Sequence, residues 1–362
     1  MTTSTAPATS TSPPGEPPEA PLASPSLPRW APWAVAAGAV ALSALLWFGV
    51  LGGSRAGFVV TAALLHAVAV YALARVVEGP RRALDRLVTV LVGIAFSLAM
   101  LPLVSVLWTV VETGAARFDL EFLTSDLRNV LGEGGGAAHA IVGTLLITGA
   151  ATVISVPIGI LSAIYLVEYG RGRLAQSLTF LVDVMTGIPS IVAGLFAYAL
   201  FVLVFGPGVR LGIGGAVALS VLMIPIVVRS TEEMLKLVPA ELREASYALG
   251  VPKWRTIVKV VIPTSVAGIA TGVTISIARI IGETAPLLII AGSTTSLNLD
   301  LFDGRMMTLP VFAYFEYTQP GLPREASIER AWAAALTLLV IVMLLNLLAR
   351  GISRWLAPKT GR

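Results

Sequence analysis

Residues 237–263 read LVPAELREASYALGVPKWRTIVKVVIP, a polar elbow set between two long apolar runs. Pro239 suits the first turn of a helix, and Glu241 and Glu244 favour its positive end. Leu242, Ala245 and Leu249 recur at helical spacing and give that helix an apolar stripe. Gly250 stands where a left-handed cap is wanted, and Pro252 can open a second helix. The stretch is expected to be a helix–turn–helix outside the bilayer, with basic residues around an apolar stripe. A surface helix resting on anionic lipid would show the same pattern.

The runs flanking the elbow, 213–228 and 265–291, belong to a set of eight. The others are 31–51, 58–74, 87–111, 141–167, 178–205 and 331–349. Each is long enough, or nearly so, to cross a hydrocarbon core about 30 Å thick, the second and sixth by borrowing flanking residues. Of the 362 residues, 56% are hydrophobic and 13% charged, and the mean hydropathy is +0.85. A soluble chain is about 45–50% apolar and about 25% charged, so a water-soluble enzyme is excluded. With no water to satisfy backbone groups, the spans must be helices, and the fold class is an all-α polytopic transmembrane bundle.

A net charge of +4 is too small to argue for nucleic acid. The absence of cysteine removes disulfides and thiol chemistry, and His66 and His139 are isolated, without metal-ligand spacing. Residues 1–29 hold 8 of the 23 prolines and no aromatic residue, so they are expected to form a disordered cytoplasmic tail. With the N-terminus placed in the cytoplasm, 17 of the 25 basic residues fall inside and 7 outside, and Arg279 stays within a span. All four lysines are then inside, so both termini, including a tail at 351–362, are expected in the cytoplasm.

Glu244-Ala245-Ser246, three residues, Gly250, nine residues and Val260-Val261-Ile262-Pro263 resemble the EAA loop of ABC-importer permeases. That family carries EAA, three residues, Gly, nine residues and I-x-L-P; Ser246, Val260 and Ile262 are conservative departures. The resemblance implies that the elbow, with Glu244, Ala245, Ser246 and Gly250, is a coupling helix seated on an ATP-binding subunit. This chain has no P-loop: Leu235, Pro252, Val258 and Pro358 precede its four lysines. The motor is expected to be a separate, homodimeric polypeptide using ATP and Mg, with no cofactor on this chain.

Further stretches are similar to the phosphate-importer permeases of the PstA type. Ala278-Arg279-Ile280-Ile281-Gly282-Glu283-Thr284-Ala285-Pro286-Leu287-Leu288 looks like their AR-x-x-GETAPLL signature, and Gly187-Ile188-Pro189-Ser190-Ile191-Val192 like their GIPSIV signature. Met307–Phe312 and Arg330–Leu336 are similar to their outer loop and last span. The likeness covers about 85–350. It implies a six-span permease core preceded by an extra helix pair at 30–80, a first core span and external segment at 85–140, and the main permease domain at 141–350. It also implies a second permease subunit in a heterodimer, an external phosphate-binding protein, and inorganic phosphate as cargo in a bacterial cell membrane.

Arg279 is the residue that needs explaining. Buried in a span, it costs about 2.5–3.5 kcal/mol and should face the bundle interior or a watery path. Glu283, four residues on, would share its helical face. The pair is either an internal salt bridge that pins packing or a gate for an oxyanion, the guanidinium serving as a bidentate phosphate ligand. A Glu283 acceptor would favour an oxyanion that still carries a proton, as phosphate does and sulfate does not. Thr284 and Ser190 offer hydroxyls to the same pathway, although small polar residues also serve helix packing. Asp183 is expected at an interface or at a positive helix end. Leu309–Phe315 is apolar enough to lie on the outer membrane surface as a gate helix. A permease for sulfate or molybdate would keep the EAA loop without AR-x-x-GETAPLL. A secondary transporter offers no reason for the EAA spacing. An intramembrane enzyme would need a nucleophile–base or metal constellation that the spans do not carry.

Overall fold

The computed structural model describes residues 26–130 apart from 51–53, and residues 132–356. Most of the tail expected at 1–29 lies outside the described residues. All regular structure among the described residues is helical, and the chain divides into two compact units, Met1–Val106 and Leu107–Arg362.

In the first unit, α1 (Ala31–Ala44) passes into a π-helical turn, Leu45–Val50, and is followed by α2 (Arg55–Val77). The Ser54 side chain accepts a hydrogen bond from the Gly57 amide and starts α2 in the usual N-cap manner. Two cross-links tie the pair: the Ser43 hydroxyl donates to the Phe58 carbonyl (2.7 Å), and the Trp47 indole donates to Thr61 (3.0 Å). Between α2 and α3 (Pro80–Gly114), hydrogen bonding from the Arg86 guanidinium and from the Leu27 amide holds the Glu78 carboxyl below the usual range. These three helices are the spans expected at 31–51, 58–74 and 87–111; the first with its π turn fills 31–50, and the other two extend beyond their expected ends.

The second unit opens with the short α4 (Leu120–Thr124), capped by Asp119 through the Phe122 amide (2.7 Å). The long helix α5 (Ala138–Ile164) continues as a π turn, Tyr165–Tyr169. Next come α6 (Arg173–Thr186), α7 (Ser190–Phe205) and α8 (Gly212–Lys236). α9 (Ala240–Ala248) and α10 (Lys253–Thr256) form the elbow, and a π turn at Ile257–Val261 leads into α11 (Ile262–Ile280). α12 (Ala285–Ile290), α13 (Leu309–Thr318) and α14 (Arg324–Leu356) complete the chain; α14 carries helix into the segment expected as the C-terminal tail.

α8 is the hub, and small residues let its neighbours approach. A Cβ on Gly159 of α5 would stand 2.6 Å from the Val227 side chain, and one on Gly272 of α11 would stand 2.7 Å from the Ser230 hydroxyl. The core between α5, α8, α12 and α13 contains Ile147, Leu219, Met223, Leu287, Leu309 and Phe312.

Among the described residues seven helices are long and apolar enough to cross a membrane, and the eighth expected span is a bent pair. The single helix expected at 178–205 is in fact α6 and α7, set at 111° across Gly187-Ile188-Pro189. The helix expected at 265–291 likewise ends at Ile280 and restarts at Ala285. Pro189 and Pro286 thus stand at helix starts, where a missing amide costs nothing. Pro102, Pro157 and Pro225 lie inside continuous helices. Gly194 of α7 rests against the second break: a Cβ there would lie 2.5 Å from Pro286 Cα. Gly194→Ala is expected to cost about 1–3 kcal/mol by overpacking this backbone contact, and a lowered Tm of the purified protein would report it.

Two further expectations are corrected. Asp183 lies near the C-terminal end of α6, not at a positive helix end, and pairs with Arg229 of α8. The apolar run 309–315 does form a helix, but Leu309, Pro310, Val311 and Phe312 are buried in the core rather than laid on a membrane surface.

Candidate functional site

Both helix breaks open on one cavity of about 310 Å³. Its wall comes from the end of α6 (Met185, Thr186), the first break (Ile188, Pro189), Ser190 at the start of α7, and Leu222, Pro225 and Ile226 of α8. Arg279 and Ile280 from the end of α11, and Glu283 from the second break, close it. Unwound backbone within a membrane is tolerated where it is buried or lines such a cavity. Three of the four predicted pathway residues, Ser190, Arg279 and Glu283, therefore meet here from three separate segments. Thr284 does not line the cavity; it sits half-buried as the N-cap of α12.

The relation expected between Arg279 and Glu283 is different in the structure. They share the cavity but not a helical face, because α11 stops one residue after Arg279. Gly282 and the amide-free Pro286 explain the interruption. No ion pair joins the two side chains among the described residues. Arg279 instead occupies the last turn of α11, where the negative helix end favours a cation. Its side chain is exposed and Glu283 is half-buried, so a free guanidinium and a free carboxylate face the same space. The amides that any helix leaves unsatisfied in its first turn, here those of α7, lie at the Ser190 edge.

At the other end of α11 the elbow is built as its sequence suggests. Pro239 is the N-cap of α9, and Gly250 adopts φ +74. The Gly250 amide donates to the Tyr247 carbonyl (2.9 Å) and the Val251 amide to the Ser246 carbonyl (3.2 Å), the paired bonds of a Schellman cap. Ser246, the departure from alanine in the motif, turns inward and shares a 2.8 Å hydrogen bond with the buried Thr256, joining α9 to α10. Glu244, Ala245 and Gly250 stay exposed. Leu249 (83% exposed) and Trp254 (58%) present an apolar surface to the outside, flanked by Leu242 and Tyr247.

The described residues hold a clamp that the sequence does not announce. Arg243 donates from Nε and Nη2 to one carboxylate oxygen of Glu168 (3.1 and 3.0 Å), and from Nη1 and Nη2 to the Val238 and Leu235 carbonyls (2.6 and 2.9 Å). Lys253 adds a bond to the Glu168 carbonyl and lies over the Tyr169 ring. One guanidinium thus fastens the elbow to the π turn that ends α5 and to the end of α8.

Residues 155–362 match the family described as binding-protein-dependent transport system inner membrane component, which covers both the cavity and the elbow. The chain belongs to that family. Among its relatives, a Mycobacterium tuberculosis protein named Phosphate transport system permease protein PstA 1 is 47% identical over 78% of this chain and 91% of its own length. Phosphate transport system permease proteins PstA of Mycobacterium leprae and Yersinia pestis are 46% and 41% identical, over 74% and 75% of this chain and 88% and 90% of theirs.

This transport-system component is thus a multi-pass membrane protein whose two sequence signatures converge on one cavity. Sequence reading missed the α8 side of that cavity, Leu222, Pro225 and Ile226, and the Arg243 clamp. Pro225 carries no sequence signal beyond being a proline inside the apolar run 213–228. Arg243 had a stronger signal, as a basic residue flanked by two of the residues that define the elbow.

Proposed function

We propose that this chain is the permease subunit of an ATP-driven importer that passes inorganic phosphate into the cytoplasm, paired with a second permease subunit. A separate pair of ATP-binding subunits would engage the elbow through Leu249, Trp254 and the exposed Glu244, Ala245 and Gly250. An external phosphate-binding protein would deliver the cargo. The observation that carries the cargo reading is the cavity at the two helix breaks. There a cation with two parallel donor edges, a hydroxyl and a carboxylate converge without satisfying one another. A guanidinium matches two phosphate oxygens in a bidentate fork. A neighbouring carboxylate accepts the proton that phosphate retains at neutral pH, and it repels a fully ionised oxyanion.

Coupling follows as a rigid-body transfer: closure of the ATPases displaces the elbow, and the Arg243 clamp passes that displacement to α5 and α8. The cavity wall on α8 then shifts against the breaks. The test is radiolabelled phosphate uptake into proteoliposomes holding the full assembly, with ATP present or absent and sulfate as competitor. ATP-dependent uptake that sulfate does not inhibit is the expected result, and uptake indifferent to ATP would overturn the reading. In the same system Glu283→Gln is expected to raise sulfate inhibition about tenfold, since the repelling carboxylate is gone. Unchanged discrimination would remove Glu283 from selectivity.

A further inference from the structure

A cavity of about 640 Å³ in the second unit has no assigned role. It opens beyond the C-terminal end of α12 and is lined by Ser293, Thr294, Thr295, Arg305, Glu316 and Gln319 along with apolar side chains. Along the chain, α12, about 9 Å of helix, connects Glu283 in the lining of the inner cavity to Ser293 in the lining of this one.

The outer cavity holds more donors than acceptors. The Ser293 and Thr295 hydroxyls and the Gln319 side-chain carboxamide make no hydrogen bond among the described residues, and the Thr294 hydroxyl only accepts one, from the Ser296 amide. Glu316 is the single carboxylate in the lining, and Arg330 already neutralises it at 2.8 Å. Three carbonyls at the end of α12, which would repel an anion, are occupied: Leu287, Ile290 and Ala291 accept from the Gly292, Leu211 and Met306 amides.

A second observation points the same way. Gly292 has φ +77 and no side chain, and two arginine stems close over it. Arg210 Cδ and Arg305 Cδ lie 2.9 and 3.4 Å from where a Cβ would stand. Neither guanidinium has an acidic partner among the described residues. Of the two arginines whose stems meet at Gly292, Arg305 lines the cavity beside hydroxyls without partners, a donor set that suits a tetrahedral oxyanion.

We propose that this cavity is a reception site in which inorganic phosphate rests before it passes α12 to the Arg279 cavity. Arg305 and the Ser293–Thr295 hydroxyls would be its ligands. The proposal rests on the importer reading with residues 292–330 outside. It gives the pathway two arginine stations in series, so that an anion released by a binding protein is held before the inner cavity is exposed.

The chain has no cysteine, so a single introduced thiol reports cleanly on this subunit. Leu127→Cys places one on the cavity wall at a residue whose side chain is not a proposed ligand, while its amide keeps its bond to the Thr295 carbonyl (3.1 Å). In assembled transporter held in phosphatidylcholine vesicles, inorganic phosphate is expected to slow modification of that thiol about threefold or more, with sulfate weaker, and Arg305→Ala in the same background should remove the protection. Arg305→Ala is further expected to raise the KM for phosphate uptake about tenfold, and Arg305→Lys less. Phosphate uptake by the unaltered assembly without protection by phosphate would overturn the reception site and leave the importer reading standing. Protection by phosphatidylglycerol vesicles without added phosphate would assign the cavity to a lipid headgroup and overturn the proposal. Absence of phosphate uptake by the unaltered assembly would overturn the importer reading, and the reception site with it.

Discussion

Arg279→Ala is expected to reduce phosphate uptake about a hundredfold or more while the purified assembly keeps its Tm. The two halves of that expectation have separate causes. Hydrogen bonds to charged groups contribute about 1.5–3 kcal/mol each, so losing a bidentate grip on the anion removes two such terms. Stability is spared because Arg279 is exposed and holds no ion pair with Glu283, so truncation leaves no buried charge without a partner. A packing bridge would behave in the opposite way, with uptake falling only as far as the folded fraction. Arg279→Lys should recover part of the activity, because a point charge replaces the fork. Uptake and Tm measured side by side on the three proteins decide the matter, and a large drop in Tm for the alanine variant would defeat the anion-gate reading.

The second large effect is expected at the elbow. Arg243→Ala strands the Glu168 carboxylate, which is 5% exposed, leaves the Val238 carbonyl without its donor, and leaves the Leu235 carbonyl with backbone amide donors alone. Breaking a buried ion pair from one side costs about 3–5 kcal/mol. Because the site is local, the penalty should appear as loosening of α9 and α10 rather than global unfolding. ATP-driven uptake is expected to fall at least about tenfold, with limited proteolysis of the elbow accelerated. A paired replacement, Arg243→Met with Glu168→Leu, removes the stranded charge and should restore protease resistance. If it restores resistance but not uptake, the clamp transmits motion as well as holding the elbow. Unaltered proteolysis and uptake in Arg243→Ala would show that it does neither.

The membrane class and the elbow were legible because their signals are local. Apolar run length, the spacing from Glu244 to Pro263 and the single glycine at the cap position each act over a few turns of chain. The convergence of Ser190, Arg279 and Glu283 was legible only through a family likeness, since ninety residues separate the first from the others. The two helix breaks were not legible. In a membrane helix a proline can kink the chain or begin a new helix, and the apolar runs 178–205 and 265–291 read the same in either case. The expected pairing of Arg279 with Glu283 failed for that reason, as i, i+4 geometry needs an unbroken helix. Burial of the first turn of α13 escaped notice because an apolar stretch beside a membrane fits a core and a lipid surface equally well. The Arg243–Glu168 clamp joins residues 75 positions apart, with no periodicity to link them.

α12 has one more consequence, and it concerns bioenergetics. A bacterial membrane stores free energy as a potential, about 2.3 kcal/mol for each elementary charge at 100 mV. A permease with an arginine-lined chamber at each end of a watery route would drain that store if the chambers joined between cycles. α12 is six residues long, and its Leu287 and Ile290 are almost fully shielded from solvent. On the proposed route from one cavity to the other, that buried helix would be the septum that holds back protons and small ions, letting an idle transporter spare the membrane potential.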